Sequence, residues 1–138
     1  MSYVNTFIKV APDCPVTSSV VPVAKRESKP VHVIQYELLS QNPYQFTHEE
    51  LLFEVHIRHK AISNEELLRR RDGIWAELFE KKHPCLRASL LPKKYGWGVH
   101  FNDEGKIALY GMETPEYERF DNGDHGSHTL LTAMRSSR

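Results

Sequence analysis

The sequence predicts an α+β fold: a small antiparallel sheet with one long amphipathic helix packed on it. Three observations predict it. Two alternating segments, Trp97-Gly-Val-His-Phe101 and Lys106-Ile-Ala-Leu-Tyr-Gly-Met112, flank the turn Asn102-Asp-Glu-Gly105, the pattern of a β-hairpin. From Ser63 to Lys82 the apolar residues Leu67, Leu68, Ile74, Trp75, Leu78 and Phe79 share one helical face, with Arg71 inside the same arc. The chain has 138 residues, 40% apolar and 26% charged, which suits one hydrophobic core of average makeup. With no internal repeat and no dividing linker, 1–138 reads as a single domain.

Taken in order, Tyr3–Val10 alternates loosely and is rich in β-branched and aromatic residues, so it reads as a strand. Pro12, Pro15 and Pro22 make 11–29 an irregular connection, ending in the charged stretch Lys25-Arg-Glu-Ser-Lys29, which reads as solvated loop. Pro30 opens a helix over 30–41, where Val31, Ile34, Leu38 and Leu39 share a face, and Asn42-Pro43 stops it. Thr47-His-Glu-Glu50 has capping-box spacing, which predicts one helical turn. Beyond it Phe53, Val55 and Ile57 alternate with Glu54, His56 and Arg58, which predicts a half-buried strand. Arg71, on the apolar arc of the long helix, is expected to pack its stem and extend its head to solvent. His83-Pro84 ends that helix, and Cys85–Pro92 reads as a short strand. Thr114-Pro115-Glu116 starts a short helix through Phe120. Residues 121–128 form a polar loop, 130–134 a short apolar segment, and 135–138 a basic tail whose order the sequence leaves open.

Composition excludes several classes. Eighteen Lys plus Arg balance eighteen Asp plus Glu, against a polybasic protein or a disordered one. No apolar run reaches the ~20 residues of a membrane span, and MSYVNTFIKV lacks a secretory pattern, so a cytoplasmic location is expected. The two cysteines, Cys14 and Cys85, are expected to be thiols. There is no P-loop, GxGxxG, GxSxG or HExxH motif. The charge is unevenly spread: 81–100 carries only cations, whereas 102–124 is mostly acidic.

The stretch Cys85–His100 gathers a thiol, cations, two aromatics and an imidazole. Arg87, Lys94, Tyr95, Trp97 and His100 are the expected lining of a cleft for a small anionic ligand or a partner's acidic surface, since clustered cations focus potential. Glycines on both sides of Trp97 allow a bend or a close approach. An enzyme alternative uses Cys85 as nucleophile with His100 or His83 as base, although a Cys beside leucines is more often a small core residue. Lys93-Lys-Tyr-Gly-Trp-Gly98 also mixes cations and stacking surfaces, the material of a weak single-strand nucleic-acid site, but without an accompanying binding motif. Asp121, Asp124, His125 and His128 fail as an EF-hand and lack the cysteines of a usual zinc site, so neither metal nor cofactor is expected. The trio Glu54, His56 and Arg58 reads as an exposed polar face.

Asn5-Thr-Phe-Ile-Lys-Val-Ala-Pro-Asp-Cys-Pro15, Gln35-Tyr-Glu-Leu-Leu39, Asn42-Pro-Tyr44, Leu52-Phe-Glu-Val55, Pro84-Cys-Leu-Arg-Ala-Ser89, Lys94-Tyr-Gly-Trp-Gly98, Ile107-Ala-Leu-Tyr110 and Met134-Arg-Ser-Ser-Arg138 carry a likeness over almost the whole chain. In these segments the sequence resembles DUF6157, a family of small, mainly bacterial proteins of unknown function. The resemblance implies no activity, ligand or catalytic residue.

Overall fold

Thr6–Lys9 forms strand β1, whose Phe7 and Ile8 side chains point to opposite faces of a sheet and are both fully buried. The computed structural model describes residues 3–25, 27–123, 126 and 128–136. The hairpin is β2 (Trp97–Phe101) and β3 (Ile107–Gly111), paired Val99 to Leu109 and Phe101 to Ile107 as the alternation predicts. Its turn is held by Asn102, whose Oδ1 accepts from the backbone N–H groups of Glu104 and Lys106 at 2.9 Å. β1 pairs antiparallel with β2, and β4 (Thr129–Thr132) adds parallel to β1, giving the order β3-β2-β1-β4. The sheet is therefore mixed, not antiparallel throughout. The apolar segment that looked isolated in the sequence supplies its parallel edge.

The helix over the main core is α1 (Val31–Gln41), which buries Ile34, Leu38 and Leu39 toward Ile8, Val99, Phe101 and Ile107 and also buries Val33. It packs beside α2 (His48–His59). α2 replaces the strand expected after Leu51. Thr47 Oγ1 accepts from the Glu50 N–H and the Glu50 carboxylate accepts from the Thr47 N–H, so the capping box starts a full helix. The misleading alternation arises because α2 is covered on two sides. Leu51 and Val55 enter the main core, while Phe53 sits under Trp75 at 5.0 Å between ring centroids.

Trp75 belongs to α3 (Asn64–Leu78), the helix expected to be long and to lie on the sheet. It is kinked at Arg70 (φ −130°, ψ 22°), packs against α2, and buries only Ile74 among its residues. Leu68 is 87% exposed, so the apolar stripe is not one continuous contact face. Arg71 sets its guanidinium 4.8 Å from the centre of the Phe53 ring, a cation–π contact.

Cys85–Pro92 is not a strand. It forms a 3-10 turn (Leu86–Ala88) followed by the short helix α4 (Leu90–Lys94) capped by Ser89, with Pro92 tolerated in the first turn. The opposite face of the sheet is covered by α5 (Pro115–Asp121), capped by the Thr114 hydroxyl as its sequence predicts. There Phe7 stacks on Phe120 at 4.6 Å and meets Tyr117 edge-on at 5.2 Å. Residues 11–29 contain no regular element among the described positions.

Candidate functional site

The irregular connection runs through Val23, Lys25, Ser28 and Lys29 and feeds into Pro30, the residue that caps α1. Proline has no hydroxyl or carboxylate to offer, so the amino end of α1 carries no side-chain cap, and its first turn contains no acid. Against this end lie His32 of α1, His59 at the end of α2 and Tyr95 just past α4. Together they enclose a cavity of about 420 Å³.

Two lysines and two histidines line that cavity, and no described acid does. Lys29 is already paired: its Nζ donates to both Glu37 carboxylate oxygens at 2.9 Å. The His32 ring rests on Tyr95 with centroids 5.1 Å apart, and burial lowers its pKa below the ordinary 6.5. At neutral pH it is therefore an uncharged imidazole, able to donate a hydrogen bond and to gain a proton when an anion arrives.

The residues expected to share one cleft occupy separate neighbourhoods. Tyr95 lines the cavity just described. Lys94 ends α4 and is exposed. Trp97 packs its ring on Tyr36 at 5.2 Å and donates Nε1–H to the Val20 carbonyl at 2.8 Å. Arg87 donates Nε–H to the Thr132 carbonyl at 2.8 Å and accepts from the Met134 N–H through its own carbonyl, so it ties down the end of β4. His100 is buried on the α5 face, where Nδ1 meets the Tyr44 hydroxyl at 2.8 Å and the ring packs on Phe120 at 4.3 Å and His128 at 5.0 Å. Tyr44 Oη also meets Tyr110 Oη at 2.7 Å, and burial first, then that hydrogen bond, push the Tyr44 phenol upward. This polar cluster joins the segment after α1 to the hairpin.

Cys85 precedes the 3-10 turn, whose Leu86 enters the main core with Phe101, and Tyr3 packs on Phe101 at 5.3 Å. Phe101 and His100 are neighbours on a strand and face opposite ways. The sheet does not bring Cys85 and His100 together. His83 meets the Leu78 carbonyl at 2.7 Å through Nε2. Cys85 instead lines a second cavity, of about 210 Å³, whose walls include His32, Gln35 and Ser89.

Gly96 (φ +78°) supplies the bend expected beside Trp97. At Gly98 the close approach comes from the core: an added Cβ would lie 2.5 Å from Phe7 Cζ and 2.7 Å from Tyr117 Cε2. Lys25, Lys29, His32 and His59 were not singled out by sequence reasoning. The available signal was a cation-bearing loop leading straight into a helix start with neither cap nor acid.

Among the described residues no group of three or more His, Cys, Asp or Glu is placed to hold a metal ion. The loop residues Asp124 and His125 lie outside the described residues, as do Ser137 and Arg138 of the tail. No described helix is long and apolar enough to cross a membrane. A family model described as a family of unknown function (DUF6157) matches residues 1–138. No curated protein and no solved structure matches the chain.

Proposed function

Because the chain belongs to this family of unknown function, its activity has to be read from its own surface, and we propose that it is a binding module for a small anionic ligand held at the start of α1. The observation that carries this reading is the cavity in which Lys25, Lys29, His32 and His59 stand at a helix amino end without a side-chain cap, with Glu37 pairing Lys29. A helix amino end favours an anion by about 0.3–1 kcal/mol, and cations clustered in a concave site raise the local anion concentration. The cavity, about 420 Å³, lies in the range used for small molecules.

The test is a thermal-shift titration at low salt with inorganic phosphate and small carboxylates, on the wild type and on the Lys25→Glu and His32→Gln variants. A ligand present at 100 times its dissociation constant stabilises by roughly 2.7 kcal/mol, a rise of several degrees for a chain this size. Both variants should lose most of that rise. An equal rise in all three proteins, or none in any, overturns the reading.

A second reading, an enzyme with Cys85 as nucleophile, is favoured by one observation: His32 lines the Cys85 cavity as well as the cationic one. It requires rapid alkylation of native Cys85 that slows in His32→Gln. Ordinary, slow alkylation in the wild type rejects it.

A further inference from the structure

The cationic cavity shares walls with three neighbouring hollows, one of which, of about 460 Å³, meets it at Ser28, Lys29 and His59 and carries Glu27 and Glu37. The cavity of about 420 Å³ shares the His32 wall with the cavity of about 210 Å³, and the His59 wall with a third of about 230 Å³. The second and third share Val31, Gln35 and Pro84. These common walls make the three spaces adjoin around the first turns of α1. Val31, the first residue of that helix, lines the second and third spaces and is 43% exposed, because α1 turns Val33, Ile34, Leu38 and Leu39 into the core instead.

The chemistry of the wall changes along these three spaces. At the loop end it is cationic, with Lys25 and Lys29 beside the helix start. Beyond Val31 it is formed by Leu52 and Val55 of α2, Leu78 at the end of α3, and Pro84. His56 and His83 edge this far part, and no described acid lines any of the three spaces. A purely polar anion would leave the apolar stretch in water, and a neutral hydrocarbon would leave the cationic end unmatched. A ligand carrying both characters satisfies both ends.

We infer that the ligand is an amphipathic anion, with a carboxylate or phosphate head at Lys25 and the start of α1 and an apolar chain lying over Val31 toward Leu52, Leu78 and Pro84. This rests on the anion-binding reading and adds the class of the ligand. Each methylene laid against such a wall should tighten binding about fourfold until the space is filled.

The test measures affinity of the full chain for butyrate, hexanoate, octanoate and decanoate, each below its micelle concentration, with inorganic phosphate and octanol as references. The expected result is a steady rise in affinity with chain length, octanol much weaker than octanoate, and phosphate bound through the head site alone. Val31→Ser, a change to an exposed side chain, and Leu78→Gln should each weaken decanoate at least threefold and leave phosphate within twofold. Phosphate binding with no dependence on chain length overturns the amphipathic ligand and leaves the anion site standing. Octanol as tight as octanoate, or a length dependence that survives both substitutions, also overturns it. Binding of no anion at all removes both readings.

Discussion

The His32 imidazole lies against the Tyr95 ring, with centroids 5.1 Å apart and planes inclined by 33°. The contact joins the first turn of α1 to the end of α4, and both side chains are walls of the cationic cavity. Tyr95 therefore sets where His32 stands as well as closing one side of the space. Tyr95→Ala should weaken phosphate binding severalfold with a cooperative melt retained, and Tyr95→Phe, which keeps the ring, should restore most of it. Titration calorimetry of the three proteins checks this. Equal weakening by both substitutions would assign the effect to the hydroxyl and not to the ring.

The histidines around these cavities give stability and binding opposite responses to pH. Burial lowers His32 below the ordinary 6.5; burial also lowers His56, with the nearby charges of Lys60, His83 and His59 adding to the effect. The unfolded chain therefore takes up these protons more readily than the folded one. The stability concerned is fully present above about pH 6.5 and falls as pH drops from there through the lowered folded values. An anion in the cavity opposes the penalty at His32, because it favours the imidazolium form there. Melting temperature without ligand should fall between pH 7 and 5, while the increment produced by phosphate should grow over the same interval. A phosphate increment that shrinks on acidification would contradict this arrangement.

On the far face of the sheet, Gly98 leaves the space that Phe7 and Tyr117 occupy. Gly98→Ala should destabilise the protein by about 1–3 kcal/mol through overpacking, read as a lower urea midpoint with an unchanged slope. An unchanged midpoint would show that the two rings shift freely.

Tyr117 has a second part there, since its hydroxyl accepts the Val10 N–H at 2.9 Å in a buried setting. Tyr117→Phe leaves that donor without its partner and should cost about 1–3 kcal/mol. The same denaturation experiment measures it, and anion binding on the other side of the sheet should be unaltered.

Where the fold was legible, the deciding information was local. Asn102 and Gly105 fix the hairpin turn, Thr114 and Pro115 start α5, and Pro30 starts α1. Where it was not legible, a distant partner decided. Phe53 makes α2 look period-two only because Trp75 and Arg71 of α3 cover it from outside the core. β4 pairs parallel with β1 across most of the chain, which no local pattern announces. The site followed the same rule. Tyr95, which stands out in the sequence as an aromatic among lysines, lines the cavity, whereas Arg87 and Trp97 commit their donors to the backbone carbonyls of Thr132 and Val20. The lysines at 25 and 29 passed for solvated loop until α1, α2 and α4 closed a cavity around them.

Whether an anion sits among Lys25, Lys29, His32 and His59 can be read from the histidines themselves by NMR. Ring resonances of the eight histidines, assigned by single substitutions, are followed while phosphate is added at constant pH. His32 and His59 are expected to shift together along one saturable curve, and His32 to titrate at higher pH once phosphate is bound, while His100, on the α5 face of the sheet, stays still. Saturable shifts at His100 with His32 and His59 unmoved would place the ligand elsewhere and contradict an anion site at the start of α1.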